Sequence, residues 1–286
     1  MLKILFVEIL LLSKYFLALI FMFKYENIKV ELNESNTIVT LYFNRPKSRN
    51  AFNFSLVSEF CLAIKDLNSL KSLKCLIITG MGEIFSVGGD IKEFKEAKEP
   101  QEFMGTLADK LHEGIKLLKD LRVPSLAAIN GPCFGASLGY ACSCDIRICR
   151  DSANFGAAFA GIGLSPDSST SYYLPKLVGL SLATEMILLN RIITAKEAKN
   201  FGLVSMTISD EKDFLSEAKK IALKLSQGPS IAYQNIKDLL NISYKNDLRS
   251  HLKHEAEKIK ICAGTKDFQE GINAFLEKRK SIFKGE

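Results

Sequence analysis

One carboxylate stands among small hydroxyl residues in the stretch GLSPDSSTSYYLP, which covers residues 163–175. This carboxylate, Asp167, follows a proline and precedes a run of Ser and Thr residues. An Asp in such a position can accept a hydrogen bond from the first turn of a helix, and residues 169–177 have helical character. The same side chain can also give and take protons as a general acid–base group. The stretch alone leaves both roles open.

Two glycine-containing turns follow predicted strands and offer backbone N–H groups to a ligand. FSVGGDIKEF, residues 85–94, comes after the strand CLIITG, and NGPCFGASLGYACSCDI, residues 130–146, comes after SLAAI. In the first turn Gly88 and Gly89 permit a close approach of the backbone, and Asp90 can cap the helix that follows. One such turn is common. Two at neighbouring strand ends can aim two N–H groups at one point, which is the arrangement of an oxyanion hole.

The elements that must position these turns have an α/β pattern. IKVEL and IVTLYF alternate as the two strands of a hairpin, and CLIITG, SLAAI and DIRIC are short apolar strands. SLVSEFCLAIKDLNSL and QEFMGTLADKLHEGIKLLKDL place apolar residues at helical spacing. Later in the chain, Thr194 to Glu197 has capping-box form. Four further helices are predicted at residues 212–226, 231–240, 248–261 and 268–280. We therefore predict an α/β core over residues 24–200 and a helical region over residues 201–286.

Size and charge exclude several classes of protein. The chain has 286 residues, of which 47% are apolar, and this is enough for a substantial core. Its net charge of +6 comes from 38 basic and 32 acidic side chains that are spread along the sequence. Because no dense Lys/Arg cluster occurs, we expect no nucleic-acid partner, whereas a mildly basic surface suits an anionic small ligand.

Cysteines and histidines do not form a recognisable metal site. The seven cysteines include no C-x-x-C pair, and His251 and His254 have no Cys or third His nearby. His112, the third histidine, stands alone in a helical segment. We expect no metal and interpret the cysteines as buried free thiols of a cytoplasmic protein.

The first 23 residues, MLKILFVEILLLSKYFLALIFMF, are unusually apolar. They are long enough to cross a bilayer, but Lys3, Glu8 and Lys14 interrupt them. No small-residue cleavage site follows, as a secretory signal would require. Three interpretations stay open: a dispensable extension before a start at Met22, which we favour, a membrane or interfacial anchor, and a targeting signal.

Several motifs together resemble the enoyl-CoA hydratase/isomerase (crotonase) family. They are NRPKSRNAF, FSVGGDIKEF, NGPCFGASLG, IGLSPDSSTSYYLPKLVG and EGINAFLEKRK, in the family's order, over about Tyr25 to Phe283. The resemblance implies a crotonase-like spiral of ββα units with a helical C-terminal region that serves oligomerisation and CoA contact. It also implies homotrimers or hexamers and an acyl-CoA thioester substrate. No separate cofactor is implied, because coenzyme A is part of the substrate.

The resemblance also assigns roles to individual residues. It places an oxyanion hole at the backbone N–H groups of Gly89 and Ala136. The residues implied to contact the acyl-CoA are Lys47, Ser48, Arg49, Gly89, Asp90, Ile91, Lys92, Ala136, Phe159 and Lys278, the last reaching the phosphates, from another subunit in one arrangement.

The acids decide which reaction of the family is expected. Members that hydrate a double bond carry two glutamates, and this sequence has Gly139 and Phe159 at those positions. Neither residue can move a proton, so hydratase activity is not expected. Asp167 matches the single acid of Δ3,Δ2-enoyl-CoA isomerases and of the ring-opening isomerase of phenylacetate degradation.

The sequence thus predicts a Δ3,Δ2-enoyl-CoA isomerase of β-oxidation in which Asp167 is the acid–base group. One carboxylate can take a proton from C2 of a 3-enoyl thioester and return one to C4, while two amides stabilise the dienolate. Two alternatives remain. One is a ring-expanding isomerase of aromatic acyl-CoA breakdown, and the other is a crotonase fold that binds acyl-CoA without chemistry.

Overall fold

The computed structural model describes residues 24–286. Its strands are β1 (Ile28–Leu32), β2 (Ile38–Phe43), β3 (Cys75–Gly80), β4 (Ser125–Ile129), β5 (Cys133–Phe134), β6 (Ile146–Arg150), β7 (Asn154–Gly156), β8 (Ile193–Thr194) and β9 (Met206–Ile208). Six of them form one sheet in the order β1-β2-β3-β4-β6-β9. Within this six-stranded sheet only the β1–β2 pair is antiparallel, which confirms the predicted hairpin and a mostly parallel α/β sheet.

Eleven α-helices lie in the same described range. They are α1 (Phe54–Ser69), α2 (Ile91–Glu96), α3 (Pro100–Asp120), α4 (Ala136–Ser143), α5 (Thr170–Val178), α6 (Leu180–Leu188), α7 (Ala195–Asn200), α8 (Phe214–Ser226), α9 (Ser230–Ile242), α10 (Leu248–Ala263) and α11 (Lys266–Leu276). The capping box predicted at Thr194 and Glu197 begins α7. The four predicted C-terminal helices are α8 to α11.

The central strands are apolar on both faces because both faces are covered. Leu76 and Ile78 of β3 join the larger core together with α1 and α3. Ile77, between them, joins a second core with Phe214 and Ala218 of α8. Parallel strands covered by helices on both sides show this continuous apolar pattern rather than alternation. Burying each such large side chain contributes roughly 1.5–3 kcal/mol.

A second, three-stranded sheet, β5-β7-β8, was not predicted. Its strands are two or three residues long, which is too short to show a period of two in the sequence. In this small sheet β7 pairs with both β5 and β8, and so it joins Phe134 and Ile193, the two ends of the segment that includes the loop with Asp167.

Helix α9 is tied to the segments that precede β4 and β6 by a mostly buried lysine. Nζ of Lys237 on α9 lies 2.8 Å from the Asp145 carboxylate and 2.6 Å from the Val123 carbonyl oxygen. The Arg147 guanidinium instead donates to the carbonyl oxygens of Leu203 and Cys144, although Arg147 is the nearest basic residue to Asp145 in sequence. A boundary at residue 200 stays a prediction.

The hydrophobic N-terminus, residues 1–23, lies outside the described residues. Within residues 24–286 no helix combines the length and the apolar character needed to cross a bilayer.

Candidate active site

A cavity of about 650 Å³ lies where the two glycine turns, α3 and the loop before α5 meet. Its walls are mainly apolar and include Phe52, Phe94, Met104, Leu107, Leu111 and Phe159. Among the described residues that line it, Asp167 is the only acid and His112 the only basic side chain. Gly89 and Ala136, the two residues with predicted oxyanion N–H groups, line the same cavity.

The first turn leaves the Gly89 amide without a hydrogen-bond partner in the described part of the chain. Phe52 N–H donates to the Gly88 carbonyl oxygen at 2.7 Å, and Asp90 N–H donates to the Phe52 carbonyl oxygen at 3.0 Å. Between these two bonds, the Gly89 N–H donates to no described residue. A Cβ atom at Gly89 would lie 2.3 Å from the Phe94 ring, so a side chain at this position would disturb the wall of the cavity.

Asp90 fixes the first turn and caps α2, as the sequence predicts. One carboxylate oxygen accepts from Arg45 at 2.8 Å, and the other accepts from the Lys92 N–H at 3.2 Å. Both oxygens are therefore engaged, and the carboxylate holds the turn rather than facing the cavity.

The second turn presents the Ala136 amide in a similar way. Gly135 adopts a left-handed φ of +55°, and its N–H donates to the Gly156 carbonyl oxygen of β7 at 3.0 Å. Ala136 is the first residue of α4, where backbone N–H groups have no intrahelical partner, and its N–H donates to no described residue. The two turns touch, because a Cβ built on Gly88 would lie 3.3 Å from the Gly135 Cα.

A buried serine pair keeps the two turns in register. Ser86 N–H donates to the Pro132 carbonyl oxygen, and the Ser86 carbonyl oxygen accepts from Phe134 N–H, each at 3.1 Å. The Ser137 hydroxyl lies 3.0 Å from the same Ser86 oxygen. This network brings the segments of Gly89 and Ala136 together, as required for two amides that act on one oxygen.

Asp167 does not cap α5, so the capping interpretation is wrong. The N-cap of α5 is Ser169, which makes no side-chain capping bond. The Asp167 carboxylate lies in the cavity wall instead, and its Oδ1 is 2.5 Å from Nε2 of His112 on α3. Asp167 is about one quarter exposed and His112 somewhat less than half, so a ligand can reach both side chains.

The loop after Asp167 has an uncommon backbone. Ser168 and Ser169 both adopt left-handed φ values, of 52° and 62°. A non-glycine residue in this region costs roughly 1–2 kcal/mol. The loop is held in place by the Thr170 N–H, which donates to the Asp167 carbonyl oxygen at 2.9 Å.

A family model described as enoyl-CoA hydratase/isomerase matches residues 33–286 of the chain. The chain belongs to the enoyl-CoA hydratase/isomerase family. It is 34% identical over 251 residues to 4-chlorobenzoyl coenzyme A dehalogenase-2 of an Arthrobacter species, covering 87% of this chain and 91% of the relative. It is 35% identical over 262 residues to crotonyl-CoA hydratase of Syntrophomonas wolfei, covering 91% and 98% of the two chains.

The fold agrees with solved members of the enoyl-CoA hydratase/isomerase family. The crystal structure of an enoyl-CoA hydratase/isomerase homologue from Mycobacterium abscessus superposes with a TM-score of 0.86. That protein shares 32% identity, and the alignment covers 91% of this chain and all of the other. The chain is thus a crotonase-fold enzyme that acts on acyl-CoA, and its named relatives include both hydratases and dehalogenases.

Most of the residues predicted to contact acyl-CoA lie in three places. Ile91 and Phe159, together with Gly89 and Ala136, line the cavity. A short 3₁₀ helix next to the first turn contains Lys47 and Ser48 and ends at Arg49. The Val87 N–H donates a hydrogen bond to the Arg49 carbonyl oxygen and so links this helix to the first turn. Lys92 lies exposed in the first turn of α2.

Lys278 lies after the end of α11 and does not line this cavity. Its backbone has a left-handed φ of 54°, and its N–H donates to the Phe275 carbonyl oxygen. The contact of Lys278 with the CoA phosphates stays a prediction, either within one subunit or from another subunit.

His112 is the site residue that sequence reasoning missed. Its position on α3 is fixed by Tyr140 of α4, whose hydroxyl donates to the carbonyl oxygen of Leu111 at 2.9 Å. Burial raises the pKa of Tyr140 well above its ordinary value, so the hydroxyl keeps its proton. A usable signal was present, because Met104, Ala108, Leu111 and His112 share one helical face and only His112 is polar.

Proposed function

We propose that the chain is a Δ3,Δ2-enoyl-CoA isomerase with Asp167 as its single acid–base group. The observation that supports this is the placement of one carboxylate in an apolar cavity that also holds two backbone amides, neither of which donates to any of residues 24–286. The two positions at which hydrating relatives are expected to carry glutamates are Gly139 and Phe159. Isomerisation needs only groups that this cavity contains.

In this reaction the thioester carbonyl oxygen of a 3-enoyl-CoA accepts from the Gly89 and Ala136 amides. Asp167 takes a proton from C2, and the electron pair moves through the C2–C1 bond onto the carbonyl oxygen, giving a dienolate. The same proton, now on the Asp167 carboxyl group, is delivered to C4 as the double bond forms between C2 and C3. The amides stabilise the anion, and losing one such donor typically costs about 10²–10³ in rate.

The test is turnover of 3-hexenoyl-CoA to 2-hexenoyl-CoA by the purified protein. Asp167→Asn should lower kcat at least about a hundredfold, the lower range for a positioned acid–base group. Asp151→Asn, a change of an exposed carboxylate outside the cavity, serves as the matched control. Full activity of Asp167→Asn would eliminate the mechanism.

A second function, hydrolytic removal of a substituent from an aromatic acyl-CoA, is favoured by the contact between His112 and Asp167. Isomerisation has no need of an imidazole, whereas a carboxylate nucleophile with a neighbouring base can carry out a two-step hydrolysis. The likeness to 4-chlorobenzoyl-CoA dehalogenase supports this alternative.

The chemistry would begin with attack of an Asp167 oxygen on the ring carbon that bears chlorine. Electron density moves through the ring onto the thioester oxygen, where the two amides hold it, and then returns as chloride leaves with its bonding pair. Water that has lost a proton to His112 attacks the ester carbonyl of Asp167. The bond between that carbonyl carbon and the aryl oxygen breaks, giving 4-hydroxybenzoyl-CoA and the free carboxylate.

Chloride release from 4-chlorobenzoyl-CoA, followed beside the 3-hexenoyl-CoA assay, separates the two functions. Release of chloride without isomerisation would replace the first proposal by the second. If neither thioester reacts and C2 of bound 3-hexenoyl-CoA exchanges no deuterium, both proposals are wrong, and this is the result expected of a fold that binds acyl-CoA without chemistry.

The proposed enzyme would work as a homotrimer or hexamer in the cytoplasm and serve β-oxidation of fatty acids. Large apolar side chains that are exposed in the single chain support self-association, among them Leu240, Leu248, Leu252, Ile259 and Phe275 of the C-terminal helices. Light scattering of the purified protein at several concentrations tests this, and a monomer at all of them would contradict it.

A further inference from the structure

Helix α4 and the loop after Asp167 touch at Gly139. A Cβ atom built on Gly139 would lie only 1.9 Å from the Ser168 carbonyl oxygen and 2.8 Å from the Ser168 carbonyl carbon. The group that it would meet is backbone, which cannot rotate away as the end of a flexible side chain can. Ser168 and Gly139 are also fully enclosed by protein, so the loop has no free space beside it.

Hydroxyl groups join the same two segments. The Ser143 Oγ, one helical turn after Gly139, lies 2.8 Å from the Gly139 carbonyl oxygen and 2.9 Å from the Ser169 Oγ. The Ser169 Oγ also lies 3.4 Å from the Gly139 carbonyl oxygen. These bonds hold Ser169 in its left-handed conformation, two residues after the carboxylate.

We propose that Gly139 is a positioning residue for Asp167, and that its missing side chain together with the Ser143–Ser169 hydroxyl contact sets where the carboxylate lies. The proposal rests on the function proposed above only in naming Asp167 as the reacting group. The first turn of α4 then has two duties: Ala136 presents an amide at its start, and Gly139 leaves the space that the Asp167 loop occupies.

The expected consequence of a side chain at Gly139 is displacement of the loop rather than loss of the cavity. The Ser168 carbonyl must move by more than 1 Å to restore an ordinary contact distance, and Asp167 is the preceding residue. A displacement of about 1 Å at a reacting group can cost on the order of 10² in rate. Binding of the thioester, which uses the turns and the apolar walls, should change little.

The test compares Gly139→Ala and Ser143→Ala with two matched controls. Gly264→Ala adds a Cβ at 3.5 Å from its nearest neighbour, the Ile261 carbonyl oxygen, which is an ordinary contact. Ser226→Ala removes a buried hydroxyl that, like Ser143, bonds within its own helix but lies away from the site. We expect Gly139→Ala to lower kcat about a hundredfold with KM within twofold, Ser143→Ala to lower kcat less, and both controls to keep wild-type kcat.

A second measurement, by NMR, detects a change in the position of the Asp167 carboxylate without the need for turnover. The chain has three histidines, so the imidazole nitrogen resonances can be assigned by substituting each in turn. The His112 Nε2 resonance should shift in Gly139→Ala in the direction in which it shifts in Asp167→Asn, because both variants weaken the same contact.

The outcomes separate the positioning role from the proposed function. If the wild-type protein turns over no thioester, the proposed function fails, while the His112 resonance still tests the positioning role. Wild-type kcat and an unshifted His112 resonance in Gly139→Ala would overturn that role. If Gly139→Ala fails to fold, Ser143→Ala tests the positioning role in its place. Wild-type kcat and an unshifted His112 resonance in Ser143→Ala would then overturn that role.

Discussion

Nε2 of His112 lies 2.5 Å from Oδ1 of Asp167, although 55 residues separate them in the chain. The contact joins α3 to the loop before α5, and four strands (β4 to β7) and helix α4 lie between them in the sequence. Each side chain is held by its own element, His112 through the Tyr140–Leu111 bond and Asp167 through the loop packed on α4. The pair is therefore built from both sides of the cavity, and neither segment alone specifies it.

Replacement of this imidazole distinguishes the two candidate reactions. In an isomerase, His112→Gln should lower kcat by roughly tenfold at most, since the Gln side-chain amide keeps N–H groups that can donate to the Asp167 carboxylate. In a dehalogenase it removes the base for ester hydrolysis, and the loss should reach about 10²–10⁴. In that case mass spectrometry of the quenched protein should find an aryl-CoA ester on Asp167. His254→Gln, on α10, is the control, and a defect as large in this control would show that the effect is not specific to the site.

Removal of the Ala136 N–H should lower the rate without unfolding α4. Ala136 is the first residue of its helix, where proline is well tolerated, and Gly135 before it has no Cβ to clash with the proline ring. Ala136→Pro should therefore lower kcat by about 10²–10³, the usual cost of one oxyanion donor. Lys266→Pro, at the first position of α11, should leave kcat unchanged. Circular dichroism checks the helix content, and a fully active Ala136→Pro would exclude this amide from the oxyanion hole.

The thiols offer a test of the packed core. Burial raises the pKa of Cys75, Cys142, Cys144 and Cys149 to about 12, and it also raises the pKa of Cys133 well above the ordinary value of a thiol. Burial raises the pKa of Cys61 to about 11. Because the thiolate is the reactive form, the native protein at pH 8 should react with Ellman's reagent at no more than one site, Cys262.

All seven thiols should react with Ellman's reagent after denaturation. The native Cys262→Ser variant should show no reactive thiol. Two or more fast-reacting thiols in the native protein would contradict the burial described for the other six.

Glutamates at the two hydratase positions should not create a hydratase in this chain. Phe159→Glu adds a carboxyl group at a residue that already lines the cavity. In Gly139→Glu, however, the new side chain must displace the Ser168 carbonyl before its carboxylate can reach the substrate. We expect the double variant to lose activity toward 3-hexenoyl-CoA and to hydrate crotonyl-CoA no faster than Phe159→Glu does alone. Efficient hydration by the double variant would show that the loop yields readily.

The strands and the two turns could be predicted from sequence because their signals are local. CLIITG and SLAAI are apolar without interruption, since helices cover both faces of β3 and β4. The Gly-Gly-Asp turn carries its own cap, and Asp90 makes the expected bond to Lys92. In both cases a few adjacent residues are enough to predict the local structure.

The partners of Asp167 could not be predicted from sequence because they depend on tertiary packing. The sequence shows His112 only as a polar residue on an otherwise apolar helical face, and its partner becomes evident once the helix is placed against the loop. Gly139 looks like a small residue in a small-residue helix, and only the approach of Ser168 shows why a Cβ is excluded. The short strands of the second sheet have no periodic signal for the same reason, since their neighbours in space define them.

The close packing of Gly139 on Ser168 bears on how such an enzyme changes its chemistry through evolution. A first step that replaced Gly139 by a larger residue would damage the existing activity before any second carboxylate could contribute a new one. A lineage would have to remodel the backbone after Pro166 first, by insertion, deletion or glycine replacement. A substitution of this one codon therefore meets a barrier that sequence identity does not measure.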